Sequence, residues 1–563
     1  MSAPSRLRLA ALAARAAAAT PVPLDGERQV VLFLSFTDGS HRARVLRGAG
    51  ADGTAAWNDA AARLPDEDAA LRYLRLDIVS AVNATDWAAV HAQLGRTKRN
   101  YYRLGIALDP VLRHAFLETE LNANAMLDGG RAVPTAALNH ATFLAYARAR
   151  DGITAIACDG AEPVWTFVTT GWFAGEDGIV HPLAGDSRNR GRRQLALDPP
   201  GIERLVASGS RYLATQVDSA GRFHYGWHPC FDRPIATYNA LRHASTTYAM
   251  LEAWELTRDP RLRAAIDRAL HHLRTRLLRD VTLPDGRSAA MLVEGDGEIK
   301  LGGNAVAVLA LAKQAELTGS GADDALLNQL GEGLLHMQDA ATGVFAHVLD
   351  ADTLAVKHAF RTIYYDGEAA FALLRLHERS ADPRWLAAAE RAFDHFLAAG
   401  HARAHDHWLA YAAELLTRFR PEARYYRFGL DNVRDHLGFV RNRITTFPTL
   451  LELMTATERL VARLRADPAL TPLLRGFDLP EFYGAMHARA HYLLNGHFWP
   501  ELAMFFARPD RIAGSFFIRH HGFRIRIDDV EHYLSGLIAY RRYLLSAGAL
   551  LEPQPAAREA LAG

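Results

Sequence analysis

Two near-identical helix starts constrain the fold of this chain more than any other feature. Residues 258–262 (Arg-Asp-Pro-Arg-Leu) lead into an amphipathic stretch at 264–270, and residues 381–385 (Ala-Asp-Pro-Arg-Trp) lead into a similar stretch at 388–393. In each segment the Asp is suited to cap a helix and the Pro to occupy its first turn. Such recurrence predicts a divergent repeat of helical hairpins.

From about residue 201 onward the hydrophobic periodicity is almost wholly helical. An open solenoid of tetratricopeptide type would keep a period of about 34 residues, which is not observed here. The loops instead carry aromatic, His and charged residues, as expected where a closed ring lines its cavity. We therefore predict a mainly α fold, with an (α/α) toroid of helical hairpins over residues 201–563. The clearest predicted helices are Thr247–Leu256, Leu262–Leu273, Ala305–Leu317, Leu326–His336, Glu368–His377 and Leu386–Leu397.

Residues 1–200 differ in pattern and predict a smaller mixed α/β domain. Val30–Phe36 and Arg42–Leu46 flank a Thr-Asp-Gly-Ser turn and predict a hairpin. Gly185–Pro200, rich in Gly, Arg, Asp and Pro, predicts a linker. Helices are also predicted at Thr54–Leu64 and Trp87–Leu94, and strands at Tyr73–Val79, Ile153–Cys158 and Pro163–Thr169.

Composition excludes several classes of protein. The 64 Lys and Arg residues almost cancel the 63 Asp and Glu residues, which argues against a general nucleic-acid-binding protein. Cys158 and Cys230 are too few for a disulfide framework. No apolar run is long enough to span a membrane. The sequence does not specify the oligomeric state.

The N-terminal segment loosely resembles an export signal. Arg6 and Arg8 precede the apolar Leu9–Leu12, but Arg15 interrupts the apolar region. We therefore favour a basic, Ala-rich helix or a frayed end. A cytoplasmic location is slightly favoured, and a periplasmic one stays open.

Residues 48–53 match the GxGxxG pattern between a strand and a helix, the context of a dinucleotide site. The preceding strand is the second arm of a hairpin, however, so the unit is ββα rather than βαβ. Asp77, the next notable acidic residue, lies inside a strand rather than at its end. P-loop, GxSxG and HExxH signatures are absent. We predict no cofactor.

Polar residues crowd the start of one predicted helix. Tyr238, Arg242 and Ser245 would share one helical face, and Asn239 and His243 the adjacent one. Such residues at a helix start cost helix stability and need buried polar partners. They are either a capping network between hairpins or part of a functional site.

A second cluster precedes another predicted helix and contains Arg361, Tyr364, Tyr365, Asp366 and Glu368. Either carboxylate could simply cap the helix. The adjacent tyrosines favour a functional site, because aromatic rings stack on sugar faces and phenols transfer protons.

A third cluster contains His405, His407 and Trp408, with Tyr411 one turn later. A His-x-His pair can bind a metal in an extended loop, but a helix directs residues i and i+2 apart. We predict no metal site.

Near the C-terminus, Arg524 and Arg526 lie on one side of a predicted strand. Two arginines in this arrangement are suited to bidentate recognition of carboxylates. The alternative is an Arg–Asp network with Asp528 that closes the toroid.

The polar helix start at 238–244, the turn at 364–368 and the repeated Asp-Pro-Arg hairpins resemble bacterial (α/α)-toroid proteins that act on uronic-acid polysaccharides. That group includes Vi-antigen-type and alginate lyases and the glucuronyl C5-epimerases. The resemblance covers roughly residues 210–540 and is one of pattern.

Toroid lyases use Asn or Arg to neutralise a uronate carboxylate, and His and Tyr to transfer protons. The resemblance therefore implies catalytic roles for Asn239, His243 and one of Tyr248, Tyr364 and Tyr365. Candidate substrate-binding residues are Tyr238, Arg242, Arg361, Asp366, Glu368, His405, His407, Trp408, Arg524 and Arg526.

The expected activity is β-elimination in an acidic, uronate-containing polysaccharide. Neutralising the carboxylate stabilises the charge that develops when the C5 proton is removed. A C5-epimerase shares this first step, and a glycoside hydrolase would need paired carboxylates, for which Asp366, Glu368 and Asp406 are the candidates. A non-catalytic glycan-binding or scaffold toroid is the remaining alternative.

Overall fold

A computed structural model describes residues 2–185 and 188–551, with side chains as far as residue 547. Residues 186 and 187 of the predicted linker and residues 552–563 of the predicted toroid lie outside the described residues.

An eight-stranded antiparallel sheet forms the N-terminal region, in the order β1-β2-β4-β7-β5-β6, with β3 paired to β2 and β8 to β7. The predicted hairpin is confirmed, and Leu34 faces Leu46 across it. The strands are β1 (Val22–Leu24), β2 (Glu27–Thr37), β3 (Arg44–Gly50), β4 (Tyr73–Asp86), β5 (Gly105–Ala107), β6 (Ala115–Phe116), β7 (Pro163–Ala174) and β8 (Val180–Pro182). The helices are α1 (Ala3–Ala17), α2 (Gly53–Ala61), α3 (Trp87–Arg96), α4 (Glu118–Ala123) and α5 (His140–Asp151).

The strand predicted at Ile153–Cys158 is wrong, because this segment is irregular. Its carbonyls are bound by side chains instead of by a neighbouring strand. His140 Nε2 lies 3.0 Å from the Ile156 carbonyl, and His91 Nε2 lies 2.7 Å from the Cys158 carbonyl. Local alternation of apolar residues cannot reveal such side-chain partners.

The glycines of the GxGxxG segment allow close packing within the N-terminal region. A Cβ on Gly48 would lie 2.0 Å from the Ala56 carbonyl oxygen, and one on Gly50 would lie 2.6 Å from the Ala55 side chain. Helix α2 therefore rests directly on the backbone of β3, which accounts for these glycines without a nucleotide.

Six helical hairpins follow and close into an (α/α) toroid, as predicted. The outer helices are α6 (Pro199–Gln216), α8 (Pro260–His272), α10 (Asp324–His336), α12 (Pro383–Ala399), α14 (Ala423–Arg434) and α17 (Leu479–Leu493). The inner helices are α7 (Ala240–Thr257), α9 (Leu301–Thr318), α11 (Tyr364–Ser380), α13 (His407–Phe419), α16 (Thr449–Ala466) and α20 (Ile527–Leu551). The short helices α15 (Leu437–Asn442), α18 (Pro500–Ala503) and α19 (Pro509–Ile512) lie in connections.

Each inner helix packs against the next around the ring, and α20 returns to pack against α7. Because one outer helix separates each pair of inner helices in the chain, all six inner helices run in the same direction. Their N-terminal ends therefore meet at one face, which we call the N-terminal mouth. The connections that reach this mouth carry short strands, namely β9 (Gly226–His228), β10 (Arg233–Pro234), β11 (Leu278–Thr282), β12 (Ser288–Leu292), β13 (Glu298–Lys300), β14 (Val348–Asp350), β15 (Val356–His358) and β16 (Ile525–Arg526).

The two repeated helix starts are confirmed. Asp259 and Asp382 accept hydrogen bonds from the backbone N–H groups of Arg261 and Arg384, at 2.8 and 2.9 Å. Pro260 and Pro383 occupy the first turns of α8 and α12. Both starts lie on outer helices, so the repeat marks the entry into successive hairpins.

The sheet and the toroid share one buried core. Phe33 and Phe167 of the sheet belong to the same apolar cluster as Ile202 of α6. Arg193 forms an ion pair with the fully buried Glu501 at 3.1 Å. Helix α6 begins next to the predicted boundary at residue 200, and the division into two domains stays a prediction. In the described part of the chain, no helix has the length and apolarity that crossing a membrane requires.

Candidate functional site

Titratable side chains from five of the six inner helices converge at the N-terminal mouth. We call this set the lumen cluster. It consists of Arg242 on α7, Glu368 on α11, His407 on α13, Glu452 on α16, and Glu531 and His532 on α20. All six lie within the first two turns of their helices, so the parallel arrangement of the inner helices brings them together.

His532 is held by a buried carboxyl group. Its Nδ1 lies 2.8 Å from Glu452 Oε2, and the Tyr411 hydroxyl donates to Glu452 Oε1 at 3.1 Å. Burial raises the pKa of Glu452 to about 8 and lowers that of His532. In the resulting neutral pair Glu452 donates to Nδ1, so the ring proton of His532 lies on Nε2.

His407 lies beside His532. Its Nδ1 lies 3.2 Å from Asp406 Oδ2, an ion-pair distance at which that oxygen makes no hydrogen bond within the described residues. Its Nε2 is buried and has no hydrogen-bond partner among the described residues. The ring centroids of His407 and His532 are 5.1 Å apart, nearly perpendicular. A ring nitrogen without a hydrogen-bond partner among the described residues therefore lies close to the imidazole of His532.

Glu531 and Arg242 form the other side of the cluster. Glu531 accepts hydrogen bonds from Ser245 Oγ at 2.8 Å and Thr246 Oγ1 at 2.6 Å. Burial nevertheless raises the pKa of Glu531 to about 7. Arg242 forms an ion pair with Asp528 at 3.3 Å, and 31% of its side chain remains exposed.

Glu368 is 3% exposed, and its Oε2 lacks a hydrogen-bond partner among the described residues. Burial raises its pKa well above the usual value, although Arg242 opposes the shift. Gly302 of α9 makes room for this carboxyl, because a Cβ there would lie 1.9 Å from Glu368 Oε2. Glu368 therefore does not cap its helix.

The predicted tyrosine pair divides between surface and core. The ring of Tyr364 is 48% exposed and lies 6.0 Å from that of His407, at the mouth. Tyr365 is buried beside His347. Burial and the nearby Glu368 raise the pKa of Tyr365 to about 12, so its phenol stays protonated at neutral pH.

The structure places His243 outside the lumen cluster. Its Nδ1 lies 2.7 Å from the Tyr238 hydroxyl and its Nε2 lies 2.9 Å from the Ala269 carbonyl of the outer helix α8. Burial lowers its pKa to about 3. Asn239 caps α7 by accepting from the backbone N–H of Arg242 at 2.9 Å. These residues form the capping network that the sequence left as the alternative to a site.

The predicted arginines are bound by neighbouring carboxylates. Arg524 lies 3.2 Å from Asp529, and Arg526 lies 2.8 Å from Asp528. Arg361 makes two hydrogen bonds with Glu298, at 2.6 and 3.0 Å. The Arg–Asp network weighed as the alternative is therefore present, and it leaves Arg242 as the cation of the lumen cluster.

The remaining predicted residues also differ in whether their side chains reach the lumen. His405 faces the outer helix α14, with Nδ1 2.9 Å from the Asn432 carbonyl, so it diverges from His407. Trp408 and Tyr248 line a lumen cavity of about 410 Å³ that also touches Glu452 and His532. Asp366 lies 3.2 Å from His347 Nε2.

The sequence reasoning missed Glu452 and Glu531 and gave His532 no role. Glu452 follows Thr449 at a helix start, where a carboxylate is usually a cap or a favourable partner of the helix dipole. Only the register of α16 and α20 around the ring directs these side chains inward.

One trio in the cluster could hold a divalent cation. Three possible ligand atoms lie within 4.8 Å of one another, one from each of His407, Glu452 and His532. Two imidazoles and a carboxylate are a familiar donor set for catalytic zinc, but here Glu452 and His532 already satisfy each other.

No family model and no curated protein matches this chain. Several solved structures are similar in fold. A D-mannose isomerase shares 12% identity over 63% of this chain and 99% of its own, with a TM-score of 0.45. A cellobiose 2-epimerase from Spirochaeta thermophila DSM 6192 shares 14% identity over 62% and 98%, with a TM-score of 0.45. An unsaturated glucuronyl hydrolase from Bacillus sp. GL1 shares 14% identity over 62% and 97%, with a TM-score of 0.43.

Proposed function

We propose that this protein is a carbohydrate-active enzyme that transfers protons at a sugar carbon next to a carbonyl or carboxyl group. The observation that carries the proposal is the pair of complementary imidazoles. His407 Nε2 has no hydrogen-bond partner among the described residues, His532 Nδ1 lies 2.8 Å from Glu452, and the rings are 5.1 Å apart. We assign the lone pair to His407 Nε2 and the proton to His532 Nε2.

The chemistry follows from the two tautomers. His407 Nε2 accepts the proton of the carbon, and His532 Nε2–H donates to the oxygen on which negative charge develops. Asp406 stabilises the imidazolium that forms on His407, at 3.2 Å. Glu452 holds His532 in the donating tautomer. Arg242 adds a positive charge beside the reacting atoms.

The mouth suits a sugar. Exposed aromatic rings lie where a chain would enter: Tyr364 covers His407, and Phe360, which is 62% exposed, packs against His347 at 4.7 Å. Aromatic faces of this kind stack on the apolar faces of sugar rings.

The charge balance favours isomerisation or epimerisation next to a sugar carbonyl. Arg524 and Arg526 are neutralised by Asp528 and Asp529, and Arg242, the cation of the lumen cluster, also pairs with Asp528. A neutral substrate therefore fits this mouth more readily than a uronate. A uronate lyase or C5-epimerase is the second candidate, because Arg242 remains partly exposed and could pair with the uronate carboxylate.

Hydrogen exchange in deuterated solvent tests the proposal. The protein is incubated with free aldoses, ketoses and uronate polymers, and deuterium at the carbon next to the carbonyl or carboxyl group is followed by NMR. Wild type should introduce deuterium into one class of sugar, and His407→Asn and His532→Asn should not. Unsaturated, ultraviolet-absorbing ends would identify a lyase.

Two outcomes would overturn the proposal. Release of reducing ends without exchange would indicate a glycoside hydrolase, with Glu368 as the carboxyl to test. Binding of saccharides without exchange or cleavage, unchanged in both histidine variants, would indicate a glycan-binding protein.

A further inference from the structure

A second concave surface lies in the N-terminal region, in a part of the chain that the lumen chemistry does not use. It is lined by six arginines, which we call the arginine pocket: Arg42, Arg44, Arg47, Arg63, Arg113 and Arg150. They come from β3 and the loop before it, the end of α2, the β5–β6 loop and the end of α5. The cavity measures about 630 Å³, within the range of ligand pockets.

The positive charge of this pocket is only partly balanced. Arg63 lies 3.6 Å from Asp59, and Arg150 lies 3.1 Å from Glu120. Within the described residues the other four arginines have no carboxylate within 4.0 Å. The lining supplies two acidic residues, Asp59 and Asp151, against six arginines.

Of the four unbalanced guanidinium groups, those of Arg42 and Arg47 are partly buried and held in place, whereas Arg44 and Arg113 are exposed. Arg47 donates to the Val111 carbonyl at 2.7 Å, and Arg42 lies over the Tyr146 ring at 6.0 Å. The Nε atoms of both are buried without a hydrogen-bond partner among the described residues. Burial lowers the pKa of Arg47; the charges of Asp109 and Asp59 oppose this shift, and those of Arg113 and Arg63 add to it. Holding like charges together costs free energy, which a bound anion would offset.

We propose that the arginine pocket binds an acidic saccharide, through bidentate contacts between guanidinium groups and its carboxylate or sulfate groups. Arginine forks match planar oxyanions in geometry as well as in charge. The choice of a saccharide over other oxyanions rests on the proposed function of the toroid. A single-stranded nucleic acid fits less well because Arg42 covers the Tyr146 ring, which leaves the pocket without a free aromatic face for base stacking.

This pocket would give the protein two saccharide sites of different character. The lumen cluster suits a neutral reacting sugar, whereas the arginine pocket suits an anionic segment of the same chain or of another. The acidic polymer predicted from the sequence would then bind in the arginine pocket, away from the lumen cluster.

Isothermal titration calorimetry on the full chain tests this assignment. Oligogalacturonate and a heparin oligosaccharide should bind, maltohexaose should not, and added NaCl should weaken binding because the contacts are ionic. Arg44→Glu with Arg113→Glu reverses two exposed charges and should lower the affinity at least about tenfold. Arg131→Glu, an exposed arginine outside the pocket, should not change it.

Three results would overturn the assignment. These are unchanged affinity in the Arg44→Glu/Arg113→Glu variant, equal binding of maltohexaose, and tighter binding of oligothymidylate than of either acidic saccharide. A thermal melt checks the fold of the double variant, and Arg113→Glu alone serves if that variant is unstable. His407→Asn separates the two proposals, because it should abolish exchange in the lumen and leave this binding intact.

Discussion

Glu414 and Glu452 line the same lumen and are each only 2% exposed, yet their surroundings differ completely. Glu414, towards the C-terminal ends of the inner helices, lies 2.6 Å from Arg463, 2.9 Å from Arg418 and 3.4 Å from Arg459. Burial raises its pKa, but the three arginines lower it more, so it stays ionised. Glu452, at the N-terminal mouth, contacts no arginine in the described part of the chain, and burial raises its pKa to about 8.

The difference shows that one ring of helices can hold two kinds of buried carboxyl group, one paired with arginines and one with a raised pKa. Where a buried carboxylate is fully paired with arginines, its proton affinity is low, and the ion pairs stabilise the packing of neighbouring helices. Where it meets only an imidazole and a phenol, its proton affinity lies near neutral pH, as acid–base chemistry requires. The two ends of the lumen are therefore expected to respond to mutation in opposite ways.

The largest effect is expected at the mouth. His407→Asn removes the free Nε2 lone pair and should lower the rate of deuterium exchange by about 10²–10⁴-fold, measured by NMR. His405→Asn is the matched control, since it is two residues away and faces α14. Equal losses in both variants would mean that His407 acts only through packing.

Glu414→Gln tests the paired end of the lumen. Removing this charge leaves Arg459 and Arg463 without their carboxylate, while Arg418 keeps Glu378 at 3.8 Å. The free energy of unfolding should fall by about 3 kcal/mol. Urea denaturation measures the change. The surface pair of Glu390 with Arg420 is the control, because Glu390→Gln should cost less than about 1 kcal/mol. Similar losses in the two variants would contradict a special role for Glu414.

Glu452→Gln should change the pH dependence of stability more than stability itself. The folded pKa of about 8 lies above the ordinary value of 4.5, so the folded state holds the proton more tightly. This contribution is complete below about pH 4.5 and is lost as the pH rises towards 8. Between pH 5 and 8 the stability of wild type should therefore change less favourably with rising pH than that of the variant, by up to about 1.4 kcal/mol per pH unit.

Urea denaturation at several pH values measures these slopes. Glutamine imitates the protonated carboxyl towards Tyr411 and His532 and should keep the fold at low pH. Parallel slopes for wild type and Glu452→Gln would show that Glu452 is ionised in the folded protein.

The smallest effect concerns Tyr364. Tyr364→Ala should raise the KM for the sugar by about three- to tenfold through lost stacking, and Tyr364→Phe should leave it nearly unchanged. Steady-state kinetics separates KM from kcat. A loss in kcat for Tyr364→Phe as large as that for His407→Asn would give the phenol the proton-transfer role that the sequence resemblance implies.

Much of the fold could be predicted because it depends on local patterns. Asp259 and Asp382 are the N-caps of α8 and α12, and helical periodicity predicts α7 to α12. The candidate site was predictable only in part. Tyr364 and Glu368 were predicted from the adjacent tyrosines, His407 from a His-x-His pair, and Arg242 from the crowding of polar residues at a helix start. The same signal also selected His243 and Asn239. In the structure His243 contacts the backbone of α8, and Asn239 caps α7.

The sequence by itself determined the helical hairpins, their capping residues and the polar character of their starts, because these depend on neighbours a few residues apart. Only the tertiary structure decided which polar side chains face the lumen. A cap and a catalytic carboxyl are both acidic residues in a first or second turn. Glu452 and His532 lie 80 residues apart in the chain and 2.8 Å apart in space. Their contact, and the proton it holds, depend on how the ring closes between α16 and α20.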